Sequence, residues 1–289
     1  MKFRLADGRM LIEPIGGMRS MIAKISGLVA ALAVIGSLVV AGASATGATD
    51  PETSRILAPT GKLRVGLYPG TPTSILPDAQ PDGPRGVGYD LGKEVARQLG
   101  VPFEPVVFSK NAEVLEAVKT GAVDMVFTNA SAARAKDMDF GPPYLEIELG
   151  YLVPRGSPVS TLDNIDIGGF RVGVTTGSSS DAVLSRDLKS AEIVRAATIA
   201  AAVDMMAAGQ LDAFATNKAT LFEMIEKLPG SKVLDGRWGV ERHAIAIPKG
   251  RDRGRAFVEK FTADAKSEGL VKAAIARAGL RGAMTSDQK

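Results

Sequence analysis

Tyr151-Leu152-Val153-Pro154-Arg155-Gly156 and Ala244-Ile245-Ala246-Ile247-Pro248-Lys249-Gly250 share one form: an apolar extended run closed by proline, a base and glycine. Tyr, Leu, Val and Ile suit a pleated, half-buried surface. Proline cannot donate into a sheet ladder, so it ends a strand. The likeness suggests two strands that leave opposite lobes and lie side by side. Lobe one would then be discontinuous, with residues 61–153 and 247–289 holding both ends of the folded chain, and lobe two, residues 154–246, would be inserted. Two ordinary strand ends would read the same way, and the two runs by themselves leave both readings open.

The flanking pattern alternates. Leu63–Tyr68, Phe103–Phe108, Asp124–Thr128 and Gly150–Val153 are short β-rich runs. Between them, Leu91–Leu99 and Ala112–Lys119 carry apolar residues at helical spacing. The alternation restarts after the first crossing, with strands at Phe170–Val174, Ile193–Arg195, Asp212–Thr216 and Lys232–Leu234. The helices between them are Asp181–Lys189, Ile199–Ala208 and Ala219–Leu228. After the second crossing, Gly254–Ser267 and Leu270–Ala278 read as helices that pack back on the first unit. Strand and helix in turn mean βαβ units on mostly parallel sheets, an α/β fold in two lobes.

The first 45 residues read differently. Arg19 and Lys24 precede an uncharged apolar run, Ile25 to Val40, and Ala43-Ser44-Ala45 follows. A basic start, an apolar middle and a small-x-small ending make a secretory signal peptide cut after Ala45. Residues 46–60 read as a polar tether. Removing residues 1–45 takes five bases and two acids, so 35 Lys and Arg fall to 30 while 32 Asp and Glu fall to 30. The mature chain is therefore uncharged overall, without the basic excess that nucleic-acid binding requires. There is no cysteine, which excludes a disulfide framework, a thiol nucleophile and a thiolate metal site. The single histidine, His243, leaves little for a His-based metal site or a catalytic triad, and reads as structural.

Ligands of open parallel sheets gather beyond the carboxyl ends of the strands. There the sequence places Tyr68; Phe108, Ser109 and Asn111; Asn129, Ser131 and, one turn on, Arg134. In the second unit it places Thr175, Thr176, Gly177, Ser178 and Ser179, then Thr216 and Asn217. Hydroxyls, amides, aromatics and one arginine make a hydrogen-bonding pocket for a small polar molecule, with no evident nucleophile–base pair. Arg171 to Asp181 (RVGVTTGSSSD) is a strand, a Gly/Ser/Thr turn and a helix start. That aims free N–H groups at one point and favours an anion, although Ser179 or Ser180 could equally be a plain helix cap. Arg134 has two readings as well, a bidentate clamp for a carboxylate or a surface ion pair with Asp137 or Asp139.

Residues 55–280 resemble a family 3 extracellular solute-binding protein of the polar amino-acid-binding type. The matching stretches are Gly88-Tyr89-Asp90-Leu91, Leu115 to Asp124 (LEAVKTGAVD), Arg134 with Asp139-Phe140-Gly141-Pro142-Pro143-Tyr144, Gly173 to Gly177, and Gly209-Gln210-Leu211-Asp212-Ala213. The resemblance implies the two-lobed type II periplasmic fold, and a periplasmic role for a monomer that hands a solute to the permease of an ATP-binding cassette importer. It implies that Arg134 clamps the ligand carboxylate, aided by Asn129 and Ser131 and by the turn Thr176, Gly177 and Ser178. Tyr68 and Phe108 would cover the ligand side chain. No cofactor, metal or nucleic acid is implied.

Two departures stand out. The stretch from Asp124 to Arg134 is slightly shorter than the family pattern. Where the family commonly has an aspartate for the ligand ammonium, this chain has Asn217, and an amide offers an ammonium no full charge. Glu241 is the acid that could substitute from another direction. The reading therefore leans towards a small carboxylate-bearing solute, with an α-amino acid left open. A rival is a lyase on the same fold resembling cyclohexadienyl dehydratases, for which Glu146, Glu148 and Glu241 are the only acids near the cleft. A partner of a membrane sensor is a third. The chain is read as a binder, not an enzyme. Mass spectrometry of the exported protein is expected to give Thr46 as the first residue; a chain kept whole in the cytoplasm would overturn the leader.

Overall fold

The computed structural model describes residues 3–6, 9–12, 50–76 and 83–284. Most of the expected leader, with its cleavage point, lies outside the described residues. Its start contributes a small antiparallel hairpin, β1 (Phe3–Ala6) and β2 (Arg9–Ile12).

The stretch 46–60, expected to be a tether, instead contains a helix, α1 (Pro51–Leu57). Asp50 caps it through Thr53 N–H, Pro51 opens its first turn, and Leu57 is fully buried. Leu57 and Ala58 enter the first core, and Ser54 Oγ donates to the Leu99 carbonyl at 2.8 Å, which anchors the segment. The first half continues with β3 (Leu63–Leu67), α2 (Val87–Leu99), β4 (Phe103–Val107), α3 (Asn111–Lys119) and β5 (Met125–Asn129). On α2, Val87, Leu91, Val95 and Leu99 recur at helical spacing and all are buried. Gly92 lets this helix sit close to the sheet, since a Cβ there would lie 3.1 Å from Val65. Gly86 starts the helix at φ +152°, and a Cβ would fall 2.2 Å from the Ser74 carbonyl oxygen.

The chain then runs along β6 (Met138–Val153) into the second half. There follow β7 (Arg171–Thr175), α4 (Ser179–Asp187), β8 (Glu192–Ala196), α5 (Ile199–Ala207), β9 (Ala213–Asn217), α6 (Lys218–Ile225) and the short β10 (Lys232–Val233). It returns along β11 (Gly239–Pro248) to α7 (Arg255–Ser267), α8 (Leu270–Ala278) and a last short strand, β12 (Ala283–Met284). Val258 and Phe261 of α7 and Val271 and Ala274 of α8 pack in one core with Leu63, Val65 and Val95, so both ends of the folded chain meet in the first half.

Sheet order is β1-β2-β4-β3-β5-β11-β6-β9-β7-β8, with β10 and β12 also on β6. Each half has three parallel strands in the same order, β4-β3-β5 and β8-β7-β9. The antiparallel pair β11 and β6 lies between them. β11 faces β5 over His243–Ala246, whereas β6 faces β9 over Leu149–Leu152. The strands therefore change halves at Leu145–Leu149 and Gly239–His243. The crossings expected within Tyr151–Gly156 and Ala244–Gly250 thus lie a few residues too late in the chain, and the division at 153/154 and 246/247 moves with them. Each proline marks where a strand stops inside the half it has entered, not where it leaves the other.

The halves repeat one ionic clamp. Arg64 donates from N and Nε to Asp124 Oδ2 and from Nη2 to Asp124 Oδ1 at 2.7–3.0 Å, with Nη2 also on Gly121 O. Arg171 makes the same four bonds to Asp212 and Gly209. Each clamp ties the start of a half's first strand to the turn entering its third. They differ in burial. Asp124 is wholly buried and also accepts from Arg251 Nη1 at 3.0 Å, while the Asp212 side chain is 31% exposed. Removing one partner of a buried ion pair costs about 3–5 kcal/mol, against about 1 kcal/mol or less for an exposed one. Asp124→Ala is accordingly expected to cost several times the stability that Asp212→Ala costs in denaturant melts. Equal losses would refute the assignment by burial.

Candidate functional site

Where the two parallel sheets face each other across the crossing strands, the chain leaves a partly open cavity of about 40 Å³. Tyr68, Asn111, Asn129 and Arg134 come from the first half, and Thr175, Ser178, Ser179, Ile199, Thr216, Asn217 and Thr220 from the second. Glu241 and His243 project from β11 itself, two residues apart and so on one face of the strand. The halves touch directly over this cavity. Asn129 Nδ2 donates to Ser179 Oγ at 2.9 Å, and the Thr71 and Thr220 hydroxyls are 2.9 Å apart.

Arg134 follows β5 in a short 3-10 turn. Its Nη1 donates to Thr128 Oγ1 at 2.8 Å and to the Asn129 carbonyl at 3.3 Å. The surface-pair reading fails, because Asp137 is taken by Lys119 and Asp139 by Lys249. Burial pulls the guanidinium below its ordinary pKa, with Glu241 opposing; arginine nonetheless stays protonated. Glu241 is 8% exposed. Its Oε2 accepts from Asn217 Nδ2 at 3.2 Å and lies 3.1 Å from His243 Nε2. Burial pushes its carboxyl up, but His243 and then Arg134 outweigh that and hold it below the usual carboxylate range. Arg134 and Glu241 thus carry opposite charges into one cavity without forming an ion pair with each other. Tyr68 is pushed up to about 12, mainly by burial and then by Glu241, so its phenol stays a neutral donor.

Asn217 is the N-cap of α6, its Oδ1 accepting from Thr220 N and Oγ1 at 3.0 Å each. Its amide is thereby spent on both sides, on the helix and on Glu241. Two buried polar atoms of lining residues, Thr175 Oγ1 and His243 Nδ1, have no partner among the described residues. Such atoms are costly in a closed interior unless something completes them. No group of three or more His, Asp or Glu among the described residues is placed to hold a metal.

Of the ten residues given a ligand-contact role, six line the cavity, Tyr68, Asn129, Arg134, Ser178, Asn217 and Glu241, as do the strand-end residues Asn111, Thr175, Ser179 and Thr216. The other four of the ten do not. Phe108 is buried with Val106, Val114 and Val126 behind the strands, and Ile199 is the apolar group at the cavity instead. Ser131 Oγ accepts from Arg134 N–H. Thr176 is exposed and turns its hydroxyl to the Ala196 carbonyl. Gly177 N–H is taken by Asp181 Oδ2, so the turn's own carboxylate occupies the place proposed for an external anion. His243, read as structural, lines the cavity. A period of two from Glu241 would have found it, and Thr220 follows from the cap that Asn217 makes.

The model of the bacterial extracellular solute-binding proteins, family 3, matches residues 63–278. The chain belongs to that family. A glutamine-binding protein of an ABC transporter, GlnH of Bacillus subtilis, is 23% identical over 191 residues, 64% of this chain and 68% of that protein. A membrane-bound lytic murein transglycosylase F of Vibrio cholerae is 34% identical over 98 residues, 33% of this chain but 18% of that protein. The solved solute receptor for L-cysteine of Neisseria gonorrhoeae superposes with a TM-score of 0.69 at 24% identity, covering 78% of this chain and 92% of that one. The fold of this family 3 protein is the type II periplasmic-binding-protein fold expected from the sequence. No helix among its described residues is long and apolar enough to cross a membrane.

Asn217→Asp keeps the α6 cap but sets a second carboxylate about 3 Å from Glu241. Carboxylates that close cannot both ionise freely, so one folded-state pKa rises above its unfolded value near 4. The penalty is absent below that value and grows as pH rises through the raised one. Thermal melts of the variant and the parent are expected to agree near pH 4 and to diverge by pH 8. A difference independent of pH would remove Glu241 from contact with position 217.

Proposed function

We propose that this family 3 protein captures a zwitterionic α-amino acid between its lobes and delivers it to the permease of an ATP-binding cassette importer. One observation carries the reading. Arg134 and Glu241 face one interlobe cavity with opposite charges that make no ion pair with each other. Arg134 bonds the neutral oxygens of Thr128 and Asn129, and Glu241 leans on His243 and Asn217, so a zwitterion adds one opposite charge for each. Arg134 takes the carboxylate through its fork. Glu241 takes the ammonium, with Thr175 and His243 near enough to complete the remaining hydrogen bonds. The absent aspartate at position 217 is thereby replaced from β11, which shifts the preference from a general carboxylate to an amino acid. Relatives named for binding glutamine and L-cysteine support the class.

Entry and release need the lobes to part, since a cavity of about 40 Å³ is far below the ~300 Å³ or more of ordinary ligand pockets. Rotation about Leu145–Leu149 and Gly239–His243 supplies that motion.

A thermal-shift panel tests the reading, because a solute that binds only the folded state raises its melting point. Each L-amino acid is compared with its decarboxylated amine and its deaminated acid. Only the zwitterions are expected to stabilise the mature chain. Arg134→Ala and Glu241→Gln are each expected to weaken binding by about tenfold or more, the scale of a lost charge-assisted contact. Equal binding of the deaminated acids would overturn the role of Glu241 and return the solute to a simple carboxylate.

A further inference from the structure

Beyond α8 the chain does not stay in the first half. Gly279 ends the helix at φ +64°, and Leu280 is buried in the first core. One residue later the side chain reaches the second half, and the backbone follows at Gly282. Arg281 Nη2 donates to the Phe222 carbonyl at 2.5 Å and to Glu226 Oε1 at 3.1 Å, its guanidinium 5.0 Å from the Phe222 ring centroid. Gly282 has φ +74°, and a Cβ there would sit 3.1 Å from Lys218 Cβ and 3.3 Å from the Phe222 ring. Ala283 and Met284 then pair with Ile147 and Glu146 of β6, at the place where β6 changes halves.

We propose that residues 281–284 are a strap, a third link between the lobes that biases the molecule towards its closed arrangement. The link is covalent on the α8 side and docked on the α6 side. α6 also carries Asn217 and Thr220, and Thr220 meets Thr71 across the cleft. Parting the lobes draws α6 away from α8, so the strap must shed its contacts with Phe222 and Glu226 or peel from β6. Its strength is mixed. The Arg281–Glu226 pair is half exposed and screened by salt, whereas the bonds to β6 and to the Phe222 carbonyl are not ionic on both sides. The strap acts on the two-state lobe equilibrium itself, so it stands apart from the identity of the solute.

The chain has no cysteine, so Glu116→Cys on α3 and Ala182→Cys on α4, both exposed, place two unique labels on opposite lobes. Interlobe distances are read by electron–electron resonance on the mature, solute-free chain. Ending the chain at Leu280 is expected to lower the closed population about threefold or more. Arg281→Glu should move it in the same direction, less so at high salt, and adding Glu226→Arg should restore it. A truncated chain that melts cooperatively and keeps the parent's distance distribution overturns the strap. If truncation prevents folding, the charge reversal and its rescue decide: no shift with Arg281→Glu overturns it equally. No added amino acid enters this measurement, so a panel without binding would refute the solute reading and leave the strap standing.

Discussion

The antiparallel ladder between β6 and β11 is the constraint on which the rest of the molecule depends. It is the seam where the two sheets join, and both lobes hang from it. Its register runs from Met138↔Pro248 to Leu149↔Gly239, with irregularities at His243/Ala244 and Ala244/Ala246. Bulges of this kind re-aim side chains and loosen a ladder locally. Here they fall beside the residues that the ladder delivers to the cavity. Glu241 and His243 are therefore held on a strand that joins the lobes, whereas Arg134 and Ser178 are carried by the lobes. A motion about the seam changes the distance from each lobe to Glu241 while leaving Glu241 in place.

For such motion to be a hinge, the lobes must be stiffer than the seam. The repeated clamps explain how. In each lobe an arginine at the start of the first strand holds the aspartate that precedes the third, and its fork also closes the preceding turn on a glycine carbonyl. Two strands and a turn are tied at one point by bonds of fixed geometry. In the first lobe, Arg251 adds a bond from the loop after β11, so the returning chain is locked to the same carboxylate. Packing alone would leave parallel strands free to slip; a bidentate clamp does not.

The sequence showed most of the architecture because its signals were local. Alternating apolar runs and helical spacing located all seven helices it assigned and every parallel strand, within a few residues. What it hid was decided at long range. Residues 138–149 belong to β6, yet Pro142-Pro143 and three acids in that stretch do not read as strand; they are tolerated because pairing with β11 extends through them. α1 was missed because its anchors are few and long-range: Leu57 and Ala58 in the first core and the Ser54 bond to the Leu99 carbonyl. At the site, strand ends were a good guide to which residues come near, and a poor one to which way side chains point. Phe108 and Thr176 both follow strands, but one turns into a core and the other into solvent. Only the partner each side chain finds decides between cavity and wall.

Position 217 shows how such a partner changes a residue's meaning. Taken alone, an asparagine where an aspartate is common argues that no ammonium is held. In the structure its oxygen caps a helix and its nitrogen donates to Glu241, so it has become the support of a carboxylate rather than a substitute for one. Charge is conserved in the cavity while its carrier moves from a helix cap on one lobe to the seam between lobes. A carboxylate on the cap would travel with the second lobe in the proposed opening of the cleft. Glu241 remains on β11 beside His243 in either state, so its partner within the protein does not depend on closure. In the proposed reading, the carboxylate that meets the ammonium therefore comes from the strand between the lobes rather than from a helix cap.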